Sequence, residues 1–235
     1  MEILGLFIAL ALPWWVGMAW LGRFWKARPG AWPAWLGYGF FTGMLVTAGV
    51  MVLVDALGFA LNFWVLAALL ALLGAGGWRL QGAFPKGGRA SLGTWERALF
   101  YLFLALLAFR LADLLLEVLW RPLYPWDAWM NWAPKAKVWA ALKHLVPFVD
   151  RETWLRTEGA YTMENFFYPP FIPLVQTWVA LGLGRFDDVL INLPWWQCAI
   201  ALGCAFYGQL RYGGLGPLSS MAFTYLLLSM PFPDV

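Results

Sequence analysis

Long apolar segments, each about the length of a membrane-spanning helix, recur along the chain. The first four cover about residues 3–22, 34–58, 59–78 and 96–119. A helix needs about 20 mainly apolar residues to cross the hydrocarbon core of a bilayer, and each of these segments supplies them. After a polar interval, three more apolar segments follow at about 169–184, 190–210 and 217–232. The pattern predicts an all-α, polytopic transmembrane helix bundle with about six to seven membrane helices.

The composition supports a membrane protein and excludes several other classes. Hydrophobic residues make up 62% and charged residues 12% of the 235 residues, against about 45–50% and about 25% in soluble domains. A soluble domain of this length could not bury so much apolar surface. The net charge of +3 is dispersed over short loops, which is unlike a nucleic-acid-binding protein. We therefore expect a multi-pass protein of the cell membrane, with lipid as its surroundings and no nucleic-acid partner.

The distribution of Lys and Arg predicts which loops face the cytoplasm. The first connection contains Arg23, Lys26 and Arg28 and no acidic residue, and the third contains Arg79, Lys86, Arg89 and Arg97 against Glu96 alone. The turn between them, with Asp55 and Asn62, has no basic residue. Because cytoplasmic loops are enriched in Lys and Arg, residues 23–33 and 79–97 are predicted inside and residues 120–168 outside. The charges do not decide whether 169–184 crosses the membrane or only dips into it.

The chain therefore divides into three regions, with four transmembrane helices in 1–119, an external loop in 120–168 and further membrane helices in 169–235. The loop concentrates charge, and its charged residues are Arg121, Asp127, Lys135, Lys137, Lys143, Asp150, Arg151, Glu152, Arg156, Glu158 and Glu164. Its tryptophans are Trp120, Trp126, Trp129, Trp132, Trp139 and Trp154. Because tryptophans collect at the depth of the lipid headgroups, the loop is predicted to lie along the membrane surface.

Within the loop, residues 134–146 are predicted to form an interfacial amphipathic helix. Pro134 is suited to its first turn, where a missing N–H costs nothing. The apolar arc contains Val138, Leu142 and Leu145, and the polar arc contains Lys137 and His144. Lys135 falls beside the apolar arc, so its ammonium must either extend outward along that surface or find an anion.

Asp127 is the candidate for chemistry, because it lies just past the fourth helix with Trp126 and Trp129 close by. A carboxylate that loses hydration in such surroundings becomes a better proton acceptor, which suits a general base. The structural alternative is that Asp127 caps a short helix beginning at Ala128.

The fourth apolar segment also carries the ionisable residues Arg110, Asp113 and Glu117. Spacings of three and four place them on one side of a helix. Ionisable groups at this depth face the interior of a bundle or a polar cavity. They indicate either an Arg110–Asp113 ion pair or a polar track that leads to the outer loop.

Two stretches resemble a known family. The chain reads WDAWMNWAPKAK at residues 126–137 and YPPFIPL at residues 168–174. In order, spacing and predicted sidedness, these stretches resemble the multi-spanning glycosyltransferases of the GT-C fold, which include protein O-mannosyltransferases and aminoarabinose transferases. The resemblance covers roughly residues 100–232.

The resemblance implies an activity. Members of the family take a sugar from a polyprenyl-phosphate carrier outside the membrane, and an acidic residue of the first large external loop is essential. Asp127 matches that position, which implies a general base in an inverting transfer. Cations would stabilise the leaving phosphate. The residues expected to bind substrate are Lys135, Lys137, Arg121, Glu164 and Tyr168. No cofactor is required, although a divalent cation could bind between Asp127 and Glu164; no ligand spacing indicates a metal site.

The sequence departs from the family in three respects. Three helices, rather than none, precede the helix that leads into the loop, and Ala128 stands where many members have a second acid. Members are also about twice as long, so the resemblance implies the N-terminal portion of such an enzyme. If their arrangement holds, residues 169–184 dip in from the outer side.

Two functions of other classes remain open. A transporter or channel-like subunit would use Arg110, Asp113 and Glu117 as an intramembrane polar path. A membrane scaffold would have no chemistry of its own.

Overall fold

The computed structural model describes residues 2–80, 92–123 and 127–230. Within these ranges the chain is almost entirely helical, as predicted. The helices are α1 (Glu2–Leu21), α2 (Ala31–Ala56), α3 (Phe63–Leu80), α4 (Thr94–Trp120), α5 (Ala133–Leu142), α6 (Arg151–Arg156), α7 (Phe171–Leu183), α8 (Leu193–Tyr212) and α9 (Pro217–Leu228). Two strands, β1 (Phe148–Val149) and β2 (Tyr161–Thr162), pair in parallel. Lys86 and Arg89, which contribute to the predicted orientation, lie outside the described residues.

Four of the described helices are long and apolar enough to cross a membrane. Their spans are Glu2–Phe24, Ala31–Ala56, Phe63–Leu80 and Thr94–Trp120. They coincide with the first four predicted segments, which confirms a helical bundle with helices of membrane-spanning length and supports a membrane protein. The apolar helices α7 and α9 have 13 and 12 residues. At about 1.5 Å per residue they are about 20 Å long or less, shorter than the hydrocarbon core. The total of six to seven membrane helices stays a prediction.

Helix α1 lies at the centre of the bundle and packs against α2, α3 and α7. Glycines allow α1 and α2 to approach closely: a Cβ on Gly17 would lie 1.9 Å from the carbonyl oxygen of Gly39. Small residues at helix contacts are a common means of association in membranes. Two indoles fix the pair further, since Trp35 Nε1 donates to the Met18 carbonyl at 2.7 Å and Trp14 Nε1 donates to the Leu36 carbonyl at 2.8 Å.

Helix α7 is buried on nearly all sides by α1, α2, α3 and α5. Trp178 is fully buried, donates from Nε1 to the Ala9 carbonyl at 2.8 Å, and lies 4.7 Å from the ring of Phe63. The end of α7 meets the start of α1, whereas its first residue, Phe171, packs against the cluster that contains Phe40 of α2. Trp14, near the middle of α1, packs against the same cluster. Helix α7 therefore runs alongside only the first half of α1.

The remaining helices form the other side of the molecule. Helix α8 packs against α2, and α9 lies between α8 and α4. Helix α4 is held by few side chains: Trp196 Nε1 donates to the Leu111 carbonyl at 2.8 Å, and the rings of Phe103 and Tyr225 lie 5.8 Å apart. Leu114 is the one residue of α4 that the bundle buries fully.

The loop between α4 and α7 is attached to the turn between α2 and α3. The Leu61 N–H donates to the Lys143 carbonyl at 2.7 Å. Asp55 accepts from the Leu145 N–H at 2.9 Å and lies 3.1 Å from His144 Nδ1. The turn without basic residues and the charged loop therefore lie at the same end of the bundle, which agrees with the prediction that they share one side of the membrane.

Candidate functional site

A π-helical turn shapes the segment that contains Asp127. Residues Ala128–Trp132 form this turn, and the Ala133 N–H bonds to the Ala128 carbonyl five residues earlier. Pro134 explains the wider turn, because a proline ring crowds the carbonyl four residues before it and supplies no N–H. The helix therefore begins before the predicted start at residue 134. It also ends earlier than predicted, because Lys143 has φ 56° and stops α5 at Leu142.

Asp127 is exposed and starts a chain of hydrogen-bonded side chains. Its Oδ1 accepts from Asn131 Nδ2 at 2.7 Å. Asn131 is 1% exposed, and its Oδ1 accepts from Asn165 Nδ2 at 3.0 Å. Asp127 is itself helical and caps no backbone N–H, so the capping alternative is not what the structure shows. Trp126, one of its two predicted aromatic neighbours, lies outside the described residues.

Lys135 is a buried cation of this region, since only 3% of the residue's surface is exposed. Its Nζ donates to the carbonyls of Phe166 at 2.8 Å and Tyr168 at 3.1 Å. Burial lowers the pKa of this ammonium. Lys135 neither extends to solvent nor pairs with a carboxylate of the described chain. It holds the segment that leads into Pro169 and Pro170.

The buried face of α5 differs from the predicted apolar arc. Lys135, Ala136 and Trp139 are buried, whereas Leu142 is 43% exposed. The reason is that α5 packs along α7, where Thr177 Oγ1 lies 3.5 Å from the Ala136 carbonyl. The prediction of a purely interfacial helix is corrected, because one face of α5 belongs to the bundle.

The other predicted substrate-binding residues are dispersed around this segment. Lys137 is exposed, and its Nζ lies 5.8 Å from the centre of the Phe186 ring. Arg121 pairs with Glu117, with NH1 2.8 Å from Oε1. Glu164 is exposed and next to Asn165, and it makes no hydrogen bond with the described residues. Tyr168 is half-buried, and its ring lies 5.4 Å from that of Phe167.

The predicted polar track of α4 divides between two ion pairs. Arg110 NH1 lies 2.8 Å from Asp113 Oδ2, which is the pairing that the sequence offered as an alternative to a polar track. Arg110 Nε also donates to the Leu228 carbonyl at 3.2 Å, which ties α4 to the end of α9. Glu117 pairs with Arg121 at the end of the helix.

The side chains of the described ranges form no cluster that could hold a metal ion through three or more His, Cys, Asp or Glu ligands. A divalent cation between Asp127 and Glu164 therefore stays a prediction that no described ligand set supports.

Two residues of the site, Asn131 and Asn165, were not predicted from the sequence. Asn131 could have been found, because it stands four residues after Asp127 and so shares its helix face. Asn165 carries no local signal, since its contact with Asn131 bridges 34 residues of sequence.

Comparison of the chain with protein-family models, with curated proteins and with solved structures found no match.

Proposed function

We propose that this chain is a membrane glycosyltransferase, or part of one, that transfers a sugar from a polyprenyl-phosphate carrier at the outer membrane face. One observation supports it above the others: the hydrogen-bonded series Asp127–Asn131–Asn165 joins the first stretch that resembles the GT-C enzymes to the segment that leads directly into the second. Lys135 joins them a second time, through the carbonyls of Phe166 and Tyr168. Stretches more than thirty residues apart in sequence thus form one polar site beside α7.

Asp127 would act as the general base. Asn131 holds one carboxylate oxygen, whereas Oδ2 accepts no hydrogen bond from the described residues and remains open to a substrate hydroxyl. A buried amide that is itself fixed by Asn165 keeps the carboxylate in one orientation. Such positioning is what general-base catalysis requires, because the base must lie within hydrogen-bond reach of the proton it takes.

The proposed transfer is a single displacement at the anomeric carbon of the sugar. The acceptor oxygen attacks the anomeric carbon from the face opposite the phosphate and forms the new glycosidic bond. The bond between the anomeric carbon and the phosphate oxygen breaks, and its electron pair leaves with the lipid phosphate. Asp127 takes the proton of the acceptor. The configuration at the anomeric carbon is inverted.

Among the predicted cations, Arg121 is the candidate to stabilise the leaving phosphate, because it directly follows α4 and its guanidinium, although paired with Glu117, is 57% exposed. Lys137 lies ten residues after Asp127 along a helical segment, which places it about 15 Å from Asp127 along the helix axis. Lys135 is a positioning residue, since its ammonium is already bonded to two carbonyls. Glu164 and Tyr168 would contact the sugar or the acceptor.

The experiment is sugar transfer in proteoliposomes supplied with a panel of radiolabelled polyprenyl-phosphate sugars. Asp127→Asn should reduce turnover about 100-fold or more, because a general base commonly contributes that much. Glu158→Gln is the matched control, since Glu158 is an exposed acid of the same loop. Turnover that survives Asp127→Asn would contradict the proposed base. Wild-type protein that neither transfers nor binds any of these donors would contradict the proposed function.

A further inference from the structure

An open cleft lies at the opposite end of the bundle from the candidate site. It is formed where the end of α1 meets the early turns of α2 and the last turns of α8, and its volume is about 510 Å³. The lining residues are Leu21, Phe24, Trp25, Tyr38, Thr42, Gln209 and Tyr212. The walls are thus mainly aromatic, with the polar groups of two tyrosines, a threonine and an amide among them.

The aromatic rings of the cleft hold one another in place. Trp25 stacks on Tyr38 with ring centres 5.8 Å apart, and it meets Tyr212 edge-on at 5.5 Å. Gly30, at φ 85°, permits this arrangement, because a Cβ there would lie 2.3 Å from the Gly208 carbonyl oxygen. The segment between α1 and α2 therefore closes directly onto α8, and the cleft is a built feature of the fold.

Two arginines stand at the edge of this cleft, each over a ring that lines it. The Arg28 guanidinium lies 5.4 Å from the centre of the Tyr212 ring. The Arg23 guanidinium lies 4.9 Å from the centre of the Phe24 ring. Lys26 is exposed between them in sequence. None of the three forms an ion pair with a carboxylate in the described part of the chain.

We infer that this cleft binds one anionic phospholipid. The phosphate would pair with Arg23, Lys26 and Arg28, and the acyl chain would lie against Phe24, Trp25 and Tyr38. Unpaired basic groups beside an apolar, aromatic cleft are complementary to a molecule that is anionic at one end and apolar at the other. The same residues are the ones that the sequence predicts to face the cytoplasm, where anionic headgroups attract basic residues near the membrane.

Gln209 and the two tyrosines add hydrogen-bonding capacity suited to this ligand. The Gln209 side chain is exposed, and its amide makes no hydrogen bond with the described residues. The glycerol backbone or a headgroup hydroxyl of the lipid could form a hydrogen bond with that amide. Arg211, one residue before the end of α8, does not belong to the site, because its guanidinium is bonded to the Leu215 carbonyl.

The test is native mass spectrometry of the full chain in mild detergent, titrated with dioleoyl phosphatidylglycerol and separately with dioleoyl phosphatidylcholine. We expect one phosphatidylglycerol to bind in preference. Lys26→Gln combined with Arg28→Gln should weaken that binding about 25-fold, at about fivefold for each cation removed. Arg151→Gln combined with Arg156→Gln is the matched control, because it removes two exposed charges of α6 and should leave the preference unchanged.

A second variant tests the cleft without changing charge. Thr42→Phe fills the apolar part of the cleft and should reduce the amount of phosphatidylglycerol bound. The variant should still fold, which thermal unfolding measures. Equal binding of the two lipids by the wild type would overturn the inference. Equal losses in the cleft and control double variants would do the same, as would complete displacement of the lipid by glycerol phosphate, which would show a headgroup site without an acyl-chain site.

Discussion

Helices α4 and α7 are both strongly apolar, yet α7 is buried in the bundle and α4 is largely exposed on its surface. Helix α7 has buried residues on nearly all faces. Helix α4 buries only Leu114 fully and leaves Phe109 76% exposed. Apolar composition alone therefore does not indicate a helix's neighbours: a lipid-facing side chain and a protein-facing one satisfy the same hydrophobic pattern. What distinguishes α7 is its glycine and small-residue contacts with α1, which allow the backbones to approach.

The largest expected effect comes from truncating matched aromatic residues on the two helices. Trp178→Ala should lower the free energy of unfolding by about 3 kcal/mol or more, because it leaves a cavity and removes the hydrogen bond to the Ala9 carbonyl. Phe109→Ala should change it by less than about 0.5 kcal/mol. Equilibrium unfolding in mixed micelles measures both. Similar losses in the two variants would show that α4 is buried as α7 is.

A smaller effect is expected where α5 and the loop hold the entrance to α7. Lys135→Met should destabilise the protein by about 1–3 kcal/mol, because the Phe166 and Tyr168 carbonyls lose their donor. Lys137→Met is the matched control on the same helix, and as an exposed residue it should have little effect.

The same pair of variants has a pH signature. Burial lowers the pKa of Lys135 in the folded protein, so the unfolded chain binds this proton more readily. Stability should therefore rise with pH between the lowered pKa and the ordinary value of about 10.5. The rise should be present in wild type and in Lys137→Met and absent in Lys135→Met. A rise that persists in Lys135→Met would assign it to another group.

The smallest effect is expected for the ion pair at the end of α4. Glu117→Gln should cost about 1 kcal/mol or less, because Arg121 in this pair is 57% exposed and its charge is screened by solvent. Thermal unfolding at low and high salt measures it. A loss as large as that of Lys135→Met would show that α4 depends on this pair for its position.

The sequence predicted the helices well, because length and hydropathy are local properties. The four long apolar segments were confirmed as possible membrane spans, and the later segments at 169–184, 190–210 and 217–232 also contain helices. It predicted less about the site. The π turn could have been anticipated from Pro134, but the burial of Lys135 could not, because its partners lie on a distant loop.

Local and tertiary contacts also differ in how well the sequence predicts the two sets of polar residues, those of α4 and those around Asp127. The Arg110–Asp113 pair follows from a spacing of three on one helix and was one of the two alternatives that the sequence offered. The contact between Asn131 and Asn165 depends on how the loop folds back onto α5, and no local pattern encodes it. The proposed role of Asp127 thus rests on a local resemblance, and its setting rests on tertiary structure.

The pairing of β1 with β2 has a practical consequence. Phe148 lies opposite Tyr161 and Val149 opposite Thr162, so the strand pairing holds the two ends of the segment 150–160 close together. Helix α6, within that segment, has no buried residue. We therefore expect that residues 150–160 can be replaced by an epitope or a rigid fiducial while the β1–β2 pairing stays in place.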